Sequence, residues 1–138
     1  MVKQGFSLGS RDWYVMVYYD VRPKDLSEIR ETLMAGGCPS VRADSACRNL
    51  SGWNTGYTFT NYAEHLSLLV MSRATSSAEM FDSIVHELKH LVEHISNYYG
   101  LDPKEELAAY LQGEVGRQMF PAAALVMCPH CGGEDPRR

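Results

Sequence analysis

The sequence predicts a single α+β domain, and three observations carry that prediction. Trp13–Val21 (WYVMVYYDV) and residues 65–72 (HLSLLVMS) are rich in the aromatic and β-branched residues that suit strands. Residues 76–99 instead repeat apolar side chains at helical spacing. The 138 residues, 45% hydrophobic and 22% charged, amount to one ordinary globular domain.

Taken in order, the first clear element is the 13–21 strand, whose near-continuous apolarity places it centrally in a sheet. Asp25-Leu26-Ser27-Glu28 reads as a capping box, followed by Leu26, Ile29 and Leu33 at helical spacing and stopped by Gly36-Gly37. Residues 38–55 show no clear period and read as loop with at most one short strand. Residues 57–60 and 65–72 form a hairpin across a tight 61–64 connection. The sheet thus has three or four strands.

Ser76-x-x-Glu79 is a second capping box and opens the longest helix. Phe81, Ile84, Val85, Leu88, Leu91, Val92 and Ile95 make one apolar stripe along it, and Gly100 closes it. Asp102-Pro103-Lys104-Glu105 starts another helix, with Asp at the N-cap, Pro at the first helical position and Glu at the third. That helix runs to about Met119. The domain therefore spans 1–120, and 121–138 is a Pro/Gly-rich tail with at most a short helix at 122–127.

Thirteen basic against seventeen acidic residues give a net charge of −4, which disfavours a grip on nucleic acid. No apolar run approaches the ~20 residues of a membrane helix. No apolar stretch follows Lys3, so no secretory signal is read. The expectation is a cytoplasmic protein with reduced thiols at Cys38, Cys47, Cys128 and Cys131. Cys128-Pro129-His130-Cys131 looks like half of a zinc knuckle; Cys38 and Cys47, nine apart, lack the spacing to complete it.

The chemistry-bearing motif is His86-Glu87-Leu88-Lys89-His90, an H-E-x-x-H inside the long helix. Histidines four apart lie one turn, about 6 Å, from each other on one face, so both imidazoles can meet one metal. Glu87 beside them is placed to act on water rather than on the metal. The next helix offers a third ligand. Glu105 fits the capping position, which leaves Glu106, with Glu105 as its competitor; Tyr110 lies one turn beyond Glu106. His94 extends the 86, 90 series, but three ligands on one straight helix spread over about 12 Å. A donor for a developing oxyanion is needed, and Tyr110 or His94 are the candidates.

These residues resemble the gluzincin branch of zinc metallopeptidases: H-E-x-x-H followed by Glu106 in an E-x-x-A-aromatic helix. The wider pattern of Asn54-Thr55-Gly56, Thr58-x-Thr60-Asn61, the strand, H-E-x-x-H and E-x-A-A-Y-x-x-G is similar to small zincin-like proteins of bacterial phages and mobile elements. The resemblance covers about residues 54–120. It implies a minimal zincin-like fold, with the sheet packed on the H-E-x-x-H helix, a support helix and a C-terminal ligand-bearing helix. It implies zinc on His86, His90 and Glu106, with Glu87 as general base. A metal-activated water then hydrolyses a peptide or protein substrate. The alternative is a non-catalytic domain of the same kind that binds metal or a partner.

Overall fold

The computed structural model describes residues 1–9 and 11–127. Strand β1 (Val2–Leu8) turns into β2 (Trp13–Val21). A 3-10 turn, Pro23–Asp25, leads into α1 (Leu26–Ala35), and α2 (Ser40–Leu50) follows. Then come β3 (Gly56–Asn61), β4 (Leu66–Ser72), α3 (Ser77–Tyr99) and α4 (Glu106–Met127). The architecture is α+β: among the described residues, one four-stranded mixed sheet and four α-helices.

The strand order is β1-β2-β4-β3. β2 pairs antiparallel with β1 and parallel with β4, and β3 pairs antiparallel with β4. β2 is thus central, which explains its two-sided apolarity. Helices cover both faces. Trp13, Val15, Val17 and Tyr19 of β2, with Leu69 and Met71 of β4, pack beneath α3 and α4. Tyr18 and Val21, with Leu68 and Val70, pack beneath α1 and α2. A register shift between Tyr18 and Val21, with Asp20 at φ 58, moves Val21 to the second face.

Two local expectations are corrected, and one strand is added. Residues 38–55 contain a full helix, α2, which buries Ala43, Ala46 and Leu50. Its buried face is mostly small residues, so its period is faint in the sequence. Residues 2–8 form an edge strand. And α4 continues to Met127 through Pro121. That proline removes a helical hydrogen bond, and the Gln4 amide donates to the Gln118 carbonyl in the turn before it. Ala122, Ala123 and Val126 stay buried beyond the proline, so packing carries the helix past it.

Caps behave unevenly. Ser76 accepts from the Glu79 amide, as its motif predicts. Asp25 instead accepts from the Arg22 amide and serves the 3-10 turn. Asp102 accepts from the Lys104 amide, and regular helix begins only at Glu106. The apolar stripe of α3 also narrows: Phe81 and Val85 are exposed. No helix among the described residues is long and apolar enough to cross a membrane.

The topology sets the site. α3 lies over β3 and β4, while α4 lies over β1 and β2. A cleft lined by Val85, Leu88, Ala109, Gly113 and Gly116 runs between the two helices, so α4 occupies the Val85–Leu88 flank of α3. The opposite flank faces the edge strand β3.

Candidate metal centre on the β3 flank of α3

Residues 86 to 90 sit mid-helix, where backbone geometry is most uniform. His86 and His90 stand one turn apart, and their Nε2 atoms converge to 3.1 Å. Two nitrogens at ~2.0–2.1 Å from one tetrahedral ion stand roughly 3.3 Å from each other, so the pair fits a shared metal to within a few tenths of an ångström. Both imidazoles are open to solvent on their outer side, with side-chain exposures of 65% and 46%. His90 Nδ1 has the Glu93 carboxylate 3.8 Å behind it, the place where an orienting acid acts on a metal-binding imidazole.

Glu87 turns the other way, toward the sheet, and is only 4% exposed. The Thr58 hydroxyl of β3 donates to its Oε1 at 2.8 Å. Its Oε2 lies 4.0 Å from His86 Nε2. A buried carboxylate is tolerated only with such partners. Gly56 makes room for it: a Cβ at that position would meet Oε2 at 2.6 Å and Cγ at 2.7 Å. Glycine is needed here for close approach. A cavity of about 240 Å³, lined in part by Asn49, Asp82, Ser83, His86 and Glu87, opens beside this carboxylate. Larger cavities lie elsewhere, between α3 and α4 and near the two strand-connecting turns, away from the histidine pair.

His94 follows one turn later on the same flank. Its Nδ1 is 2.8 Å from the Thr60 hydroxyl of β3, and Tyr62 covers it with ring centroids 6.2 Å apart. Burial, and then the nearness of His90, lower its pKa below the ordinary histidine value.

The remaining predicted residues stand apart. Gly116 packs against Leu88, and Ser77 bonds the Met127 carbonyl, so the helices run antiparallel with Glu106 level with the last turns of α3. Ten residues back from Gly116 corresponds to about 15 Å of axis, which sets Glu106 beside Tyr98, some ~12 Å beyond His90 and on the other flank. Tyr110 is 70% exposed and lines a shallow site with Arg11, Leu107 and Glu114. Neither joins the histidine pair. Among the described residues, no group of three or more His, Cys, Asp or Glu side chains converges as a metal site. Glu105 is likewise exposed at the start of α4.

His65, half-exposed in the turn before β4, stacks on Trp13 at 4.9 Å, lies within hydrogen-bond distance of the Tyr98 hydroxyl and the Asp12 carbonyl, and holds a left-handed φ of 49. Trp53 stacks under the Arg73 guanidinium at 4.0 Å. Cys38 is buried and Cys47 half-buried in the α1/α2 core. Cys128, His130 and Cys131 lie outside the described residues. The roles of Gly56, Thr58 and Thr60 went unassigned in the sequence, although the N-T-G and T-x-T strings were visible there.

Comparison of the chain with protein-family models, curated proteins and solved structures finds no match.

Proposed function

We propose that this chain is a minimal zincin-like metallohydrolase that cleaves peptide bonds, with His86 and His90 as zinc ligands and Glu87 as general base. The observation that carries the reading is the convergence of the two Nε2 atoms to 3.1 Å beside a buried carboxylate anchored by the edge strand. Imidazole pairs suit zinc, as they suit copper, iron and nickel, and the resemblance to zinc metallopeptidases selects zinc among them. Bound there, zinc supplies Lewis acidity and an activated water at neutral pH.

The chain's own groups divide the remaining work. Thr58 occupies Oε1 of Glu87, which leaves Oε2, on the His86 side, to take and return a proton. Gly56 lets the strand backbone close over that carboxylate. β3 ends the sheet, so its outer edge has no strand partner among the described residues and suits an extended peptide laid along it by main-chain hydrogen bonds. The substrate is therefore a peptide or an unfolded protein segment. Glu106 and Tyr110 take no part in this arrangement; either would need the α3–α4 hairpin rebuilt.

A non-catalytic metal- or partner-binding role is the second reading. What favours it is the lack of a third converging ligand among the described residues. One comparison separates the two. Zinc content and cleavage of a broad peptide library are measured in the parent and in Glu87→Gln. The hydrolase reading expects equal zinc and lost turnover in the variant. A zinc-loaded parent that cleaves nothing leaves the binding role.

A further inference from the structure

The cavity of about 240 Å³ beside Glu87 is polar on every side: apart from Gly56, each residue lining it carries a polar side chain. Two of these residues fix the wall. The Asn54 side chain bonds Thr75, and the Thr55 hydroxyl donates to the Asn49 carbonyl. Others face the space without a protein partner. Ser83, on α3, borders the cavity and is only 8% exposed, and its hydroxyl meets no hydrogen-bond partner among the described residues. A buried hydroxyl stays in that state only where solvent or a ligand reaches it. The Asp82 carboxylate next to it, and the Asn49 side-chain amide in the last turn of α2, also lack a partner among the described residues. Glu87 Oε2 has only His86 Nε2 near it, at 4.0 Å.

These unused groups select one chemistry. Asp82 and Glu87 accept hydrogen bonds and carry negative charge, and Asn49 and Ser83 each add an accepting oxygen. No Lys or Arg among the described residues lines the cavity. An acidic side chain would be repelled here. An apolar one would strip water from Asp82 and Ser83 and leave both unpaired. A guanidinium, with five donors in a flat fork, satisfies all of these acceptors. The volume is below the ~300–1,000 Å³ of a small-molecule site and suits a single long side chain. His86 and Glu87 belong both to this cavity and to the candidate metal centre, so a side chain lying in it comes from a residue adjoining the scissile bond.

We propose that the cavity is a specificity pocket for a basic residue beside the scissile bond, arginine before lysine, with Asp82 as the discriminating carboxylate. The place beside the scissile bond rests on the hydrolase reading above; the preference for a cation stands on the cavity itself. Asp82 is exposed and meets the incoming charge first, while Ser83 and Asn49 accept the remaining hydrogens of the fork.

The test uses the full chain with zinc present. N-acetyl-arginine amide and N-acetyl-citrulline amide share one shape and differ in charge. Each is titrated while the backbone amide signals of residues 49–56 and 82–87 are followed by NMR. The arginine probe should bind about tenfold more tightly, the size of one hydrogen bond to a charged group. Asp82→Asn should remove most of that difference, and Asp82→Arg should turn the preference toward N-acetyl-glutamate amide. Arginine and norleucine are then compared on either side of the cut bond in an alanine hexapeptide. At one of the two positions arginine should lead in kcat/KM by about tenfold in the parent, and the lead should shrink in Asp82→Asn. Equal affinity for the arginine and citrulline probes, or a preference that Asp82→Asn keeps in full, overturns the pocket while cleavage by the parent preserves the hydrolase reading. A parent that prefers the arginine probe but takes up no zinc and cleaves nothing keeps the cation pocket. It overturns the hydrolase reading and, with it, the place beside the scissile bond.

Discussion

The Thr58 hydroxyl stands 2.8 Å from Glu87 Oε1, joining the edge of the sheet to the middle of the long helix across 29 residues of chain. The bond holds a nearly sealed carboxylate in place. Thr58→Val keeps the shape and removes the donor, leaving a buried acceptor unpaired at a cost of about 1–3 kcal/mol. Urea denaturation should read that loss. Joined to Glu87→Leu, the same change should cost much less than the sum of the two single variants, since both polar partners are then gone.

Gly56 is tested by adding one methyl group. Gly56→Ala places a Cβ 2.6 Å from Glu87 Oε2, inside any real contact distance. Strand or carboxylate must move, for about 1–3 kcal/mol of stability. Thermal melts should show the loss. On the proposed reading, peptide cleavage should fall while zinc binding persists, because the atoms nearest to the new Cβ belong to Glu87 and not to either histidine.

Zinc affinities of single variants rank the ligand candidates. His86→Ala or His90→Ala should abolish measurable zinc binding. Glu93→Gln, behind His90 Nδ1, should weaken it by about tenfold, as losing an orienting carboxylate does. Glu105→Gln and Glu106→Gln should stay within about twofold of the parent, the range of a surface change remote from the site. A Glu106→Gln loss as large as that of either histidine variant would show that the start of α4 crosses to the β3 flank.

His94 gives the pH dependence. Its folded pKa is lowered by burial and by His90, so the unfolded chain takes up this proton first as pH falls. The contribution is fully present above the ordinary histidine value of about 6.5. It is lost as pH drops through that value toward the folded pKa. Melting temperatures between pH 7.5 and 5 should therefore fall more steeply for the parent than for His94→Gln. Equal slopes would mean that the imidazole gains its proton as easily in the fold as in the open chain.

Much was legible in the residues. β2, the β3–β4 pair and α3 announce themselves because each repeats a strong local pattern over its own length. The His86–Glu87–His90 set is legible for the same reason: helix geometry alone brings the two rings together and sends Glu87 to another side. α2 and β1 were not. α2 hides its inner face behind Ala43 and Ala46. β1 is an edge strand whose burial begins only at Phe6.

Missing β1 had a consequence for the site. Local sequence fixes which side of α4 is apolar, and Ala108, Leu111, Val115, Met119, Ala122 and Val126 are buried. It does not fix what that side covers. The order β1-β2-β4-β3 puts the open surface of β1 and β2 on one side of α3, and α4 settles there to bury it. The sequence by itself determined a histidine pair and a neighbouring carboxylate, because one helix suffices to arrange them. Only the tertiary structure decided that Glu106 and Tyr110 lie on the far flank and that Thr58, Thr60 and Gly56 are the near neighbours. Sheet order and helix docking are settled by apolar area buried between distant segments, which no local repeat encodes.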